Sequence, residues 1–307
     1  MKKKIAVIGA GFVGTMVAQR VVERNLADVI LADVVDGIPQ GKALDIAQSS
    51  AIEGFDAVIR GTCDFSEIEG SSIVVVTAGF PRTPGMTRED LARKNAGVIT
   101  SVMDNVRRFA PSSIVIVVTN PLDVMAHLSW IRSGFPPERV FGMGGVLDEA
   151  RFRYFLSLEL KVSPRDIEAL VLGSHGEAML PLESHTTMKG IPVRNILSKE
   201  RFAEIVERTR QGGAEIVELL KTGSAWHAPS AAVVAMIEAA LHDSKRMMSA
   251  SAYLDGQYGI SDIHIGVPVV VGSDGIERVC ELPLNKNEME ALRRAADIAR
   301  EMVARLE

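Results

Sequence analysis

Three glycines near the start of the chain lie between a short apolar segment and a segment with helical spacing, in residues 9–14 (GAGFVG). Gly9 would permit a tight turn, Gly11 would let the backbone approach a pyrophosphate, and Gly14 would let the helix pack closely on the strand. A helix that begins there offers free N–H groups and the positive end of its dipole to phosphates. The motif therefore predicts a strand–turn–helix unit that binds a dinucleotide.

A carboxylate follows the second apolar segment, since Asp33 lies 33 − 14 = 19 positions after Gly14. At this position it can accept hydrogen bonds from both ribose hydroxyls and would repel a 2′-phosphate. We therefore expect the cofactor to be NAD and not NADP. The alternative is a purely structural turn with an incidental aspartate, because a glycine motif alone is a weak signal.

Short β-branched segments alternate with helical segments through the first half of the chain. The predicted strands are residues 4–8, 28–32, 57–60, 72–77 and 114–119, and the predicted helices are residues 12–24, 41–50, 87–109 and one that Pro121 opens at its first helical position. Such alternation is typical of a parallel sheet buried on both faces. We therefore predict an α/β fold with an N-terminal, doubly wound Rossmann domain over residues 1–144.

The pattern changes after about residue 145. The predicted helices are then residues 147–161, 198–220, 230–243 and 287–306, and the predicted strands are residues 167–172, 178–188, 248–254 and 263–271. This order predicts a mixed α+β substrate domain over residues 145–307. No Pro- or Gly-rich linker separates the halves, so we expect the two domains to pack closely.

Composition excludes several classes of protein. The length of 307 residues suits two domains, and the net charge of −5 argues against a nucleic-acid surface. No apolar run is long enough for a membrane span. The only cysteines, Cys63 and Cys280, cannot build a disulfide framework, so we expect a cytoplasmic protein. No histidines, cysteines or carboxylates have metal-ligand spacing, so we expect no metal.

Polar and small residues follow two further predicted strands. Thr77 ends the strand predicted over residues 72–77 and Gly79 lies just beyond it, and Asn120 follows the strand that ends at residue 119. Ligands of open α/β sheets bind at the carboxyl ends of strands. We expect these three residues to bind the cofactor, together with Asn95 on the next predicted helix.

Two arginines stand six positions apart in residues 79–88, a loop with two prolines. The guanidinium groups of Arg82 and Arg88 are always charged and match a carboxylate or phosphate with paired hydrogen bonds. Their place after a strand suggests a small anion with more than one acidic group. The alternative is that both are solvated surface residues.

Three more candidates lie in the second half. Asp148 and Arg151 are three positions apart, which puts them on one face of a predicted helix. On a surface helix such a pair would be only a weak ion pair. His175 lies in a loop between two glycines, where it is either a turn residue or a catalyst that substrate can approach.

Taken in order along the chain, these segments resemble the lactate/malate dehydrogenase family. The matching parts are residues 9–14, Asp33, the arginine loop, residues 119–121, residues 147–152 and residues 173–177. The resemblance runs essentially end to end, and the arginine loop and the Asp/Arg pair are its more specific parts. It implies hydride transfer between a 2-hydroxy acid and NAD.

The resemblance also implies roles for the candidate residues. His175 would be the base that takes the hydroxyl proton, because the ordinary pKa of a histidine lies near neutrality. Asp148 would orient the imidazole of His175. Arg151 would hold the C1 carboxylate, and Arg88 would polarise the carbonyl oxygen during reduction. Asn120 would hydrogen-bond the reacting oxygen and help to place the nicotinamide.

Arg82 sets the expected substrate. The resemblance implies glutamine at this position in family members that act on lactate. An arginine here would instead pair with the second carboxylate of oxaloacetate. The resemblance therefore implies malate and oxaloacetate, a reaction of the tricarboxylic acid cycle, with Ser224 in the pocket wall. The likeness is greatest to the lactate-dehydrogenase-like malate dehydrogenases, which implies a homotetramer, or else a dimer.

Other activities stay open at this point. One is an L-lactate or broader 2-hydroxy acid dehydrogenase. Another is an NAD-using glycosidase, but Cys63 and Cys280 lack the metal-binding setting which that chemistry needs. The last is a non-catalytic NAD-binding sensor, but the presence of four candidate site residues argues against it: His175, Asp148, Arg151 and Arg88.

Overall fold

The computed structural model describes residues 3–81 and 85–306, apart from the Arg88 side chain. The strands of the first half are β1 (Lys4–Ile8), β2 (Asp28–Ala32), β3 (Ile59–Thr62), β4 (Ile73–Val76), β5 (Ile114–Val117) and β6 (Val140–Gly142). Its helices are α1 (Phe12–Glu23), α2 (Ile38–Gln48), α3 (Ser50–Glu53), α4 (Arg88–Phe109) and α5 (Leu122–Ser133).

These six strands form a parallel sheet in the order β3-β2-β1-β4-β5-β6. The residues of β4 and β5 are buried throughout, because helices cover both faces of the sheet. The direction of winding reverses between β1 and β4, and this is the crevice where open α/β sheets bind ligands. The predicted doubly wound α/β fold is confirmed.

The second half contains short strands, two long strands and four helices. Its strands are β7 (Ile167–Glu168), β8 (Val171–Gly173), β9 (Met179–Pro181), β10 (Thr187–Met188), β11 (Ile191–Pro192), β12 (Arg246–Asp255), β13 (Ser261–Gly272) and β14 (Gly275–Val279). Its helices are α6 (Gly145–Leu160), α7 (Lys199–Leu220), α8 (His227–Leu241) and α9 (Lys286–Ala304).

The parallel sheet continues into the second half without interruption. Strand β12 runs antiparallel to β6, with Ser251 opposite Gly142, and β13, β8 and β9 follow in order. A Cβ atom at Gly142 would lie 3.0 Å from the Ser251 Cβ, so glycine allows the two backbones to approach. One sheet therefore carries both the dinucleotide crevice and the glycine-rich loop that follows β8.

Three local predictions were wrong. The strand predicted over residues 167–172 is two strands, β7 and β8, which belong to different sheets. The strand predicted over residues 178–188 is broken by a 3₁₀ turn, Glu183–His185, whose backbone bonds run from His185 N to Leu182 O and from Thr186 N to Glu183 O. Pro121 is not the first helical residue, because its ψ of 123° is extended and α5 begins at Leu122. The peptide bond between Asn120 and Pro121 is cis.

The start of α4 is fixed by its own sequence. The Thr87 hydroxyl accepts a hydrogen bond from Asp90 N at 3.0 Å, and the Asp90 carboxylate accepts one from Thr87 N at 3.0 Å. This reciprocal pair is a capping box. It places Arg88 as the first residue of the helix, beyond the carboxyl end of β4.

Two histidines form a buried pair where the halves of the chain meet. His264 is fully buried, its Nδ1 lies 3.2 Å from the His127 Nδ1, and its Nε2 lies 3.0 Å from the Val140 carbonyl oxygen. Because Nε2 must donate to that carbonyl, Nδ1 of neutral His264 accepts from His127. Burial, and then the neighbouring His127, lower the pKa of His264 to about 3.

We expect this pair to make the protein lose stability as the pH falls from about 6.5 toward 3. The unfolded chain takes up a proton at the ordinary histidine pKa of about 6.5, whereas folded His264 resists it, with a limiting slope of about 1.4 kcal/mol per pH unit. The measurement is the free energy of unfolding between pH 7.5 and 5. His264→Gln keeps a donor for Val140 and should flatten this dependence, whereas exposed His242→Gln should not. An unchanged slope in His264→Gln would contradict the assignment.

Candidate active site

The glycine motif forms a close turn between β1 and α1. Gly9 has a φ of +108°, and a Cβ there would lie 2.6 Å from Ala78 N. A Cβ at Gly14 would lie 1.9 Å from Gly9 O, so the helix could not pack on the turn. At Gly11 a Cβ would meet nothing within 4 Å, which leaves open space beside the start of α1. The turn therefore fits a pyrophosphate, as the motif predicts.

Asp33 follows β2 and holds the same turn. Its Oδ2 accepts from Ala10 N at 2.6 Å, and its Oδ1 accepts from Val35 N at 3.1 Å. Each carboxylate oxygen has a second lone pair. Both oxygens therefore retain the capacity to accept from a ribose hydroxyl, and the site fits NAD.

A lysine that no sequence motif indicated lies beside this turn. Lys42 on α2 donates to the Ala10 carbonyl at 2.6 Å, so Ala10 is held on one side by Lys42 and on the other by Asp33. The Lys42 ammonium also lies 5.8 Å from the Phe12 ring centroid. No motif relates α2 to the turn, so only the folded structure reveals this contact.

An aromatic stack joins the turn to the second half of the chain. Phe12, at the start of α1, is 65% exposed, and its ring centroid lies 5.0 Å from that of Trp226. Ser224 is exposed two residues before Trp226, in the segment between α7 and α8. The structure thus brings the Ser224 segment beside the dinucleotide turn.

The carboxyl ends of β4 and β5 lie along the same sheet edge. The Thr77 hydroxyl donates to the Gly9 carbonyl at 2.9 Å, which ties the two loops together. Asn95 is fully buried, and its amide donates to the Asn120 carbonyl at 2.6 Å and accepts from Phe80 N at 2.8 Å. Asn95 therefore supports the loops that carry Gly79 and Asn120, and Asn120 itself is exposed at the edge.

His175 is paired with Asp148. The His175 Nδ1 lies 2.9 Å from the Asp148 Oδ2, and Asp148 is 1% exposed. Since a carboxylate only accepts, Nδ1 carries the proton and Nε2 remains available to exchange one. Burial is the largest influence and disfavours the imidazolium form. The nearby carboxylates, chiefly Asp148 through its charge and its hydrogen bond, together outweigh burial and raise the pKa of His175 above its ordinary value.

Arg151 lies on the same face of α6 as Asp148. Its Nη1 is 3.7 Å from the Asp148 Oδ1, which is too long for a hydrogen bond. Among the described residues, buried Arg151 Nε and Asp148 Oδ1 have no hydrogen-bond partner. Burial lowers the pKa of Arg151, although Asp148 offsets part of this effect. A largely buried guanidinium whose Nε has no partner is suited to an incoming carboxylate.

The described structure brings most of the predicted site residues to one edge. Gly9, Gly11, Gly14, Asp33, Thr77, Gly79, Asn95 and Asn120 lie along the dinucleotide crevice, and His175, Asp148 and Arg151 form one cluster. A Cβ at Gly144, the residue before α6, would lie 3.3 Å from the His175 Cβ. Arg82 lies outside the described residues, and Arg88 is described only through its backbone in α4.

Neither a metal site nor a membrane span is found in the described part of the chain. In residues 3–81 and 85–306 no group of three or more histidines, cysteines, aspartates or glutamates could hold a metal ion. Over the same ranges no helix is long and apolar enough to cross a membrane.

Comparison with known proteins gives consistent matches over both halves. Residues 3–142 match the family model of the lactate/malate dehydrogenase NAD binding domain, and residues 145–305 match that of the alpha/beta C-terminal domain. A malate dehydrogenase from Roseiflexus sp. (strain RS-1) is 51% identical over 306 residues, covering 100% of this chain and 99% of the relative.

Solved structures give the same picture. Cryptosporidium parvum malate dehydrogenase superposes with a TM-score of 0.97 at 43% identity, covering 100% of this chain and 99% of that one. A lactate dehydrogenase from the same organism, solved with lactic acid and nicotinamide adenine dinucleotide, has a TM-score of 0.97 at 40% identity and covers 100% and 98%.

Proposed function

The chain belongs to the lactate/malate dehydrogenase family, and from this premise we infer that it is an NAD-dependent malate dehydrogenase. It transfers a hydride reversibly between (S)-malate and NAD+, giving oxaloacetate and NADH. The structural observation that carries this function is the buried Asp148–His175 pair beside the dinucleotide crevice. A base with one nitrogen fixed and the other available is what oxidation of a hydroxyl group requires.

His175 acts as the base. In malate oxidation its Nε2 accepts the hydroxyl proton, while Nδ1–H stays bonded to Asp148. When bound, the cofactor would supply the acceptor for the hydride that leaves C2 of malate. Asp148 stabilises the resulting imidazolium, as the raised pKa of His175 supports. In the reverse direction the imidazolium returns this proton to the oxygen of oxaloacetate.

Three further residues hold the substrate in this proposal. Arg151 pairs with the C1 carboxylate, which is supported by its burial and its unused Nε donor. Asn120 donates to the reacting oxygen from the carboxyl end of β5. Arg88 polarises the same oxygen from the start of α4, and its position at the first residue of that helix supports this role.

The remaining pocket assignments rest on residue type and position. Arg82 pairs with the second carboxylate of the substrate. Ser224 lines the pocket wall, supported by the stack between Trp226 and Phe12. Gly9, Gly11 and Asp33 bind the cofactor, whereas Asn95 acts by holding the surrounding loops in place.

We also propose that the protein is a cytoplasmic homotetramer, with a dimer as the alternative. Val34, Ile38, Leu44 and Ile52, in and around α2 and α3, are exposed apolar side chains, and Ile52 is 87% exposed. Apolar side chains exposed on a surface favour association. Both cysteines are free, which suits a reducing compartment. Light scattering in solution tests the assembly, and a monomeric mass would contradict it.

The activity is tested by NADH oxidation with a panel of 2-oxo acids. We expect kcat/KM for oxaloacetate to exceed that for pyruvate by about 100-fold or more, because only oxaloacetate has a second carboxylate. Equal or pyruvate-favouring values would support a lactate or broader 2-hydroxy acid dehydrogenase. No oxidation with any 2-oxo acid would favour a non-catalytic NAD-binding protein.

Replacing Asp33 with asparagine is expected to weaken the preference for NAD over NADP by about tenfold or more, because it removes the charge that repels a 2′-phosphate. The asparagine oxygen can still accept from Ala10 N, although the amide nitrogen cannot accept from Val35 N, so the shorter of the two bonds that hold the turn is kept. The measurement is the ratio of kcat/KM for the two cofactors. Asp36→Asn removes a nearby exposed carboxylate and serves as the control. An unchanged ratio in Asp33→Asn would contradict the role given to Asp33.

A further inference from the structure

A second buried carboxylate lies behind the His175 loop. Asp123, the second residue of α5, is 3% exposed. Its Oδ2 accepts from the Ser174 hydroxyl at 2.6 Å and from His175 N at 3.1 Å. Its Oδ1 accepts from the Ser251 hydroxyl at 2.7 Å. All three partners can donate to an ionised carboxylate, and none of these contacts involves the imidazole ring.

These contacts join three parts of the fold at one side chain. Asp123 lies on α5, Ser174 and His175 follow β8, and Ser251 lies on β12. His175 is consequently held at two points: its ring nitrogen by Asp148 and its backbone N–H by Asp123. A loop rich in glycine needs such an anchor if its side chain is to keep one direction.

Asp123 also acts on His175 through its charge. Among the described residues, the charged groups that act on the imidazole are Asp148 and Arg151 from α6 and Asp123 from α5. Arg151 disfavours the imidazolium, whereas both carboxylates favour it. Burial raises the pKa of Asp123, whereas the hydrogen bonds that it accepts and the nearby imidazole oppose this rise and favour its ionised form. The charge of ionised Asp123 is poorly screened, because the side chain is away from solvent.

We propose that Asp123 is a positioning residue for proton transfer, which fixes the Ser174–His175 peptide and stabilises the protonated imidazole without touching the substrate. The inference rests on the proposed role of His175 as the base. It assigns separate tasks to the two carboxylates. Asp148 orients the ring, and Asp123 orients the backbone from which the ring projects.

The test is Asp123→Asn, measured as the pH profile of kcat/KM in both directions. The amide can still accept from Ser174 and His175 N and donate to the Ser251 oxygen, so only the charge is removed. Malate oxidation needs neutral His175, and its acidic limb should move to lower pH by about half a unit or more. The alkaline limb of oxaloacetate reduction should move in the same direction. NADH binding, followed by fluorescence, should be unchanged.

Ser251→Ala is the matched control, because it removes one bond to Asp123 on the side away from His175 and leaves the charge. It should lower the melting temperature without moving either limb. If Asp123→Asn lowers the melting temperature and kcat but leaves the limbs in place, Asp123 is merely structural and the proposal is overturned. A limb that moves to higher pH would also overturn it.

Ser174→Ala decides the positioning role even if Asp123→Asn does not fold. Losing this bond loosens the loop, so kcat should fall several-fold with KM for oxaloacetate little changed and the limbs in place. An unchanged kcat would overturn the role of Asp123 in fixing the loop. Failure of the proposed function would look different, since the pH limbs would then persist in a His175→Asn variant.

Discussion

His175→Asn should lower kcat/KM for malate oxidation and oxaloacetate reduction by about 10²–10⁴-fold, the usual contribution of a positioned acid–base group. An asparagine amide can still donate to Asp148, as the His175 Nδ1 does at 2.9 Å. It has no nitrogen that exchanges a proton near neutral pH. The variant therefore keeps the hydrogen bond and loses only the base.

Steady-state kinetics in both directions, with NADH affinity measured in parallel, checks this result. NADH affinity should be retained, because no cofactor-binding contact is removed. His242→Asn, at an exposed position after α8, is the matched control and should behave as the unmodified protein. A loss of less than tenfold in His175→Asn would exclude His175 as the base.

Arg82→Gln should reduce kcat/KM for oxaloacetate by at least about 100-fold while leaving that for pyruvate unchanged or raised. The guanidinium is the proposed partner of the second carboxylate. Without the guanidinium, the second carboxylate would lose its hydration on binding and would face only a neutral amide, which cannot balance its charge. Pyruvate has a methyl group at this position and loses nothing.

The measured quantity is the ratio of the two kcat/KM values. Arg93→Gln serves as the control, because Arg93 is an exposed residue of α4 whose ion pair with Glu89 lies outside the site. Arg82→Lys keeps a positive charge but loses the planar fork. Its kcat/KM ratio should therefore lie between those of the unmodified protein and Arg82→Gln. If Arg82→Gln leaves the ratio unchanged, selectivity for malate must come from another residue.

Local sequence patterns predicted the cofactor half of the fold well. Strands β1 (Lys4–Ile8) and β2 (Asp28–Ala32) have the predicted bounds, because each is a short apolar run that polar residues or glycine terminate. The proposed cofactor role of Asp33 was likewise inferred from its position after β2. Such features depend on neighbours in the chain, which a sequence displays directly.

Contacts between distant segments were not predictable in the same way. Lys42 reaches the Ala10 carbonyl across 32 positions, and Asp123 reaches His175 across 52. Neither residue belongs to a local motif, so its partner is fixed only by the packing of whole elements. Strand β6 (Val140–Gly142) was missed for a related reason: three residues are too few to display a periodic pattern.

The pairing of Gly142 with Ser251 also limits how such proteins can be recombined. The two family models meet between residues 142 and 145, which makes this the obvious crossover point for a chimera of two relatives. Yet the β12 backbone can approach β6 only because residue 142 is a glycine. The hydroxyl of Ser251, which lies opposite Gly142, donates a hydrogen bond to Asp123. In a hybrid joined here, β6 and β12 would come from different proteins, and their contacting residues would not have been selected together. We expect functional hybrids to keep residues 123, 142 and 251 from a single parent.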